Sequence, residues 1–131
     1  MNTLKNFEQV GRRGFFRPVG MVSFEQAIEI VAEGVRHARS LDLADLLVNT
    51  TGLAGFPTPD VFGRYSLASK WAESAGAAMR VALVARADLI DPQKIGVLMA
   101  QNRGANGDVF TTESAAIAWL DNATGAFATI P

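Results

Sequence analysis

The chain has 131 residues, of which 49% are hydrophobic and 19% charged, with a formal net charge of −1 and no cysteine. This length suits one domain spanning residues 1–131, able to bury a self-sufficient core. The near-neutral charge provides no global field to draw in nucleic acid. The missing cysteines remove disulfides, thiolate nucleophiles and thiolate-held metals, and suit a reducing cytoplasm. No apolar run approaches the length that inserts into a membrane, and Met1–Phe7 lacks the apolar core of a signal peptide.

Two short strands are expected first, near Leu4–Val10 and at Phe15–Val19, joined by the turn Gly11-Arg12-Arg13-Gly14. Pro18 cannot donate to a ladder, so the second strand lies at an edge or ends there. Phe15 and Phe16 point to opposite faces. One enters the core, and the other needs a helix, the tail or a second subunit as cover. With the thin charge coat, this favours a homodimer. Arg12, Arg13 and Arg17 around these aromatics read as solvated arginines of a hairpin, too few for nucleic acid.

Ser23 and Gln26 form a capping box. The stripe Phe24, Ala27, Ile28, Val31, Val35 and Ala38 then has helical spacing. His37, the only histidine, falls on the wet face with no second ligand type nearby, which argues against a metal site. Asp45–Thr50 reads as a buried strand. The loop Thr51–Pro57 follows, and Thr58-Pro59-Asp60 opens a second helix carrying Val61, Phe62, Tyr65, Ala68 and Trp71. Arg80–Arg86 is a further buried strand. Asp91-Pro92 starts a third helix that ends at Gly104. Asp108–Phe110 is a short strand, Thr112 caps a last helix with Ala116, Ile117, Trp119 and Leu120, and residues 121–131 form a tail. The order β-β-α-β-α-β-α-β-α implies an α/β fold: a mixed sheet of about five strands with helices packed against it.

Several segments resemble the SpoIIAA-like group of STAS-type proteins, the fold of bacterial anti-sigma-factor antagonists. They are Leu46-Leu47-Val48-Asn49-Thr50-Thr51-Gly52-Leu53, Arg64-Tyr65, Val81-Ala82-Leu83-Val84 before Asp91-Pro92, and Asn102-Arg103-Gly104 before Asp108-Val109-Phe110. The likeness covers Phe15 to Leu120. It implies a non-enzymatic regulatory or protein-binding module with no cofactor. In such antagonists a serine after an aspartate, at the start of a helix, is phosphorylated by a partner kinase. Thr58 falls near that place, but the Asp-Ser pair is absent and prolines flank the threonine.

Thr58 is thus either a phospho-acceptor or a plain N-cap. The glycines of Gly52–Pro57 could cradle an anion, or simply permit a tight turn. Asn102 and Arg103 either reach a ligand at the carboxyl end of the sheet or end a helix, with Asn106-Gly107 making a turn. The expected contact surface gathers Phe56, Thr58, Asp60 and Arg64 with Asn102, Arg103 and Asn106. Its occupant is an unidentified protein partner or, alternatively, a small apolar or anionic ligand. An enzyme is the least favoured class, because no positioned acid–base pair can be named.

Overall fold

The computed structural model describes residues 4–57, 70, 79–87 and 106–129, without the side chains of residues 123–129. Seven strands are present among these residues: β1 (Phe7–Val10), β2 (Arg13–Phe16), β3 (Gly20–Met21), β4 (Asp45–Asn49), β5 (Leu53–Ala54), β6 (Arg80–Val84) and β7 (Asn106–Phe110). Two helices accompany them, α1 (Phe24–Ser40) and α2 (Glu113–Thr129). Five strands form a mixed sheet in the order β1-β2-β4-β6-β7. β1 is antiparallel to β2, and β2, β4, β6 and β7 run parallel. The parallel strands step across the sheet in one direction only. β3 and β5 form a separate parallel pair.

The opening hairpin is tighter than the sequence suggests. Val10 pairs with Arg13, so Gly11 and Arg12 alone make the turn. Gly11 has φ +61° and Arg12 does not turn left-handed, the pattern of a type II′ hairpin. Gly14 belongs to β2 for a packing reason. A Cβ there would sit 2.7 Å from Phe7 Cζ and 3.0 Å from side-chain atoms of Leu43 and Leu46. β1 starts only at Phe7 because Asn6 is left-handed and Phe7 N donates to Leu4 O. β2 stops at Phe16, before Pro18, and lies inside the sheet.

The capping box of α1 is present: Gln26 N donates to Ser23 Oγ at 3.1 Å and Ser23 N to Gln26 Oε1 at 2.9 Å. Ala27, Val31, Ala32, Gly34, Val35 and Ala38 are its buried residues. Gly34 lets the helix lie on Phe16, whose ring would be 2.3 Å from an added Cβ. His37 is drawn off the wet face. Its ring stands edge-on to Phe7, centroids 4.7 Å apart, because β1 folds back over the end of the helix.

Strand alternation divides the core in two. Phe16, Leu46, Val48, Val81 and Leu83 face α1, where Val31, Val35 and Ala38 meet them. Leu47, Ala82 and Val84 face α2, with Ala116 and Leu120. Phe16 is 2% exposed. Phe15, on the other face, is half-buried against the α2-side cluster, with the Arg17 guanidinium 5.1 Å from its ring centre. Part of its cover therefore comes from within the chain. Fully burying each such leucine is worth about 2 kcal/mol.

Later boundaries also differ from expectation. β6 ends at Val84. β7 begins at Asn106, so the Asn106-Gly107 pair is strand and not turn. Pairing of Asn106 with Arg80 and of Gly107 with Val81 outweighs the local turn preference of Asn-Gly. The presumed tail from Asp121 continues α2 to Thr129. No proline interrupts the alanine-rich stretch before Pro131, and Asp121 is tied to Arg13 by a 2.8 Å ion pair. The second and third expected helices lie outside the described residues, apart from Lys70. That residue is helical, and its Nζ lies 3.5 Å from Glu29 Oε2 on α1.

Candidate functional site at the carboxyl end of the sheet

Parallel strands end together, so the segments after β2, β4, β6 and β7 emerge on one side. Three residues of β4 and its continuation organise this rim. Asn49 Nδ2 donates to Glu113 Oε2 at 2.8 Å, while Asn49 Oδ1 accepts from Thr51 N at 2.9 Å and Thr51 Oγ1 at 2.6 Å. Thr50 donates from both its amide and its hydroxyl to Val84 O, each at 2.8 Å. The chain then turns sharply, Leu53 N donating to Thr50 O at 3.0 Å.

Glu113 stands in the first turn of α2, where the helix dipole favours an acid. Arg17 grips it with two bonds, Nε to Oε2 at 2.8 Å and Nη2 to Oε1 at 3.0 Å. This bond, and then the one from Asn49, hold the Glu113 carboxyl below its ordinary value. The carboxylate is therefore ionised and engaged near neutral pH, which makes it a poor proton shuttle. Thr112 Oγ1 caps the same helix by accepting from Ala115 N at 3.1 Å.

The loop Gly52–Pro57 is pinned to the segment after β2. Gly20 N donates to Gly52 O at 3.1 Å and Val22 N to Ala54 O at 2.7 Å. Gly55 has φ +103° and would bring a Cβ 2.8 Å from Val22 O, so glycine is needed there for both reasons. Phe56 is half-buried, its ring 5.7 Å from that of Phe24. Beside this platform Val19 is 68% and Met21 79% exposed. They flank Gly20, whose φ is +148°. Large apolar side chains this open mark contact surfaces when they cluster.

Of the expected contact surface, Phe56 and Asn106 are described, and the sheet sets them at opposite ends. Phe56 lies at the carboxyl end. Asn106 starts β7 and therefore lies at the amino end, about 13 Å away along a five-residue strand. A segment that enters a parallel strand always sits opposite a segment that leaves one, which is why Asn106 cannot join Phe56. Thr58, Asp60, Arg64, Asn102 and Arg103 lie outside the described residues.

The amino end holds a polar row that sequence reasoning missed. In register across the sheet stand Arg13, Asp45, Arg80 and Asn106. All four point to the α2 face, by alternation from Leu47 and Ala82. Arg13 binds Asp45 through Nε–Oδ1 at 2.8 Å and Nη2–Oδ2 at 3.2 Å, and Asp45 is 6% exposed. Arg80 Nη1 donates to Asn106 Oδ1 at 3.2 Å, and its guanidinium lies 4.1 Å from the Trp119 ring centre. Burial pushes the Arg80 pKa down, with Asp45 opposing. The signal in the sequence was a charge placed just before each apolar run, at Asp45 and Arg80. Only strand register shows that the two are neighbours.

Among the described residues no group of three or more His, Asp or Glu could hold a metal, and no helix is long and apolar enough to cross a membrane. No family model matches this chain, and neither curated proteins nor solved structures include a significantly similar one.

Proposed function

We propose that this chain is a non-enzymatic, protein-binding module of the SpoIIAA-like, STAS type, acting in the cytoplasm. Its contact surface is the carboxyl-end rim of Val19, Met21 and the Gly52–Pro57 loop. One observation carries the reading: Val19 and Met21 lie open to solvent on a backbone that hydrogen bonds hold in place. A rigid rim with an exposed methionine and a nearby aromatic is the kind of surface proteins use for one another. Two further observations support it. The strands β2, β4, β6 and β7 step one way, without the reversal at which open α/β sheets form ligand crevices. The rim's own carboxylate, Glu113, is committed to Arg17 and Asn49.

The test is affinity capture from lysate of the native host, with wild type and Met21→Lys run side by side. A protein retained by wild type and lost by the variant, with both unfolding at the same temperature, is the expected result. Equal retention by both would remove the rim from consideration. A small molecule released on denaturing the purified protein would favour the carrier alternative instead.

A further inference from the structure

Among the described residues, the hairpin leaves one side of the large sheet open: β1 ends the strand order and has a strand neighbour on one side only. Arg17 N donates to Asn6 O at 3.0 Å, and the register places Glu8 opposite Phe15 and Val10 opposite Arg13. Hydrogen-bonded pairs alternate in an antiparallel ladder. The pairs of Asn6 with Arg17, Glu8 with Phe15 and Val10 with Arg13 therefore carry the hairpin. Phe7 and Gln9 turn their backbone groups outward. Phe7 N–H is used locally, donating to Leu4 O at 3.1 Å. The open groups on β1 are thus the N–H and C=O of Gln9 and the C=O of Phe7.

We propose that this edge pairs with the same edge of a second copy of the chain, antiparallel, about a two-fold axis at Gln9. A two-fold contact must be self-complementary. Gln9 is the β1 residue that offers both a donor and an acceptor outward, so it can pair with itself. That register brings Gly11 of each copy opposite Phe7 of the other. It also sets Glu8 opposite the second copy's Val10 and diagonal to its Arg12, within reach across adjacent strands. An acid at one end of the edge then approaches an arginine at the other, a turn residue whose Nη2 donates to Asp42 O at 3.1 Å and has further N–H groups to offer. Among the described residues Glu8 makes a loose 3.6 Å contact with Arg17. Val10, 59% exposed alone, gains cover beside a hollow of about 270 Å³ lined by Val10, Arg12, Arg13, Phe15, Ala44 and Asp45. Two five-stranded sheets would join into one, and the open edge would disappear. This contact uses different residues from the Val19–Met21 rim and does not rest on the partner-binding reading.

Sedimentation velocity over a concentration series is the first measurement. Wild type is expected to move from monomer to dimer as concentration rises. Gln9→Pro is expected to stay monomeric with unchanged thermal unfolding, because the lost N–H points away from β2 and proline is tolerated on an outward edge. The cysteine-free chain allows a second measurement that stands even if that variant misfolds. Oxidation should crosslink Gln9→Cys to its copy, since a bonded antiparallel pair holds its Cα atoms about 5.5 Å apart, within disulfide reach. Glu8→Cys, which faces Val10 and not itself, should remain uncrosslinked. A monomer at every concentration, a dimer undiminished in a folded Gln9→Pro, or equal crosslinking at positions 8 and 9 would each overturn the proposal.

Discussion

The two ends of the large sheet solve the same problem differently. Each end has arginines and carboxylates near apolar strands. At the amino end Arg13, Asp45, Arg80 and Asn106 lie in one row, with Arg80 against the Trp119 ring and Asp45 almost sealed from water. A buried charge must be paired, since an unpaired one costs several kcal/mol, roughly 3–5 when a partner is deleted. At the carboxyl end the pair Arg17–Glu113 sits closer to water and is shared with Asn49, and apolar Val19 and Met21 are left outside. The difference teaches that charge at the amino end is paired inside the fold. At the carboxyl end it braces a rim whose apolar side chains stay open to solvent.

This contrast can be broken most directly at Asp45. Asp45→Ala should destabilise the chain by about 3 kcal/mol at most, because Arg13 keeps only its pair with Asp121 and Arg80 loses a counter-charge in a half-buried row. Urea unfolding measures this; a loss similar to that of an exposed ion pair would show that water reaches the row. Glu113→Gln should cost about 1 kcal/mol or less, as for a partly exposed pair. Its pH dependence sharpens the comparison. The Glu113 carboxyl titrates below its ordinary 4.5 in the folded chain, so the folded state binds fewer protons than the unfolded. The stability from Arg17 and Asn49 is then present above that ordinary value and is lost as pH falls through the depressed one. The gap between wild type and Glu113→Gln should accordingly close in acid, as thermal unfolding over a pH series would record. Smallest of all, Met21→Ser should change stability by no more than about 0.5 kcal/mol, as for an exposed residue outside the core. A larger loss in unfolding experiments would mean that Met21 packs against the protein and is no contact residue.

The site was only partly legible in the sequence. Phe56 and its glycine-bearing loop were identifiable, because Gly52, Gly55 and Pro57 punctuate the chain after an apolar run. Val19 and Met21 were not, since two apolar residues near a proline look the same whether covered or open. Asn106 was misplaced for a different reason. Its Asn-Gly dipeptide reads as a turn, and only the direction of β7 places it at the amino end, away from Phe56. The arginine–carboxylate pairs span 32 residues for Arg13–Asp45 and 96 for Arg17–Glu113, distances at which no spacing rule operates.

The chain's own letters determined the α/β class, the capping box at Ser23 and Gln26, the buried runs Leu46–Val48 and Val81–Val84, and the opening hairpin. These follow from local hydrogen bonding and from the period of apolar residues, both written within a dozen positions. Tertiary structure alone decided strand order, which charges share a row, which phenylalanine of the Phe15-Phe16 pair goes under α1, and that β1 ends the strand order among the described residues. Those depend on register between segments far apart in sequence. A one-residue slip there exchanges the two faces of a strand, and nothing local reports it.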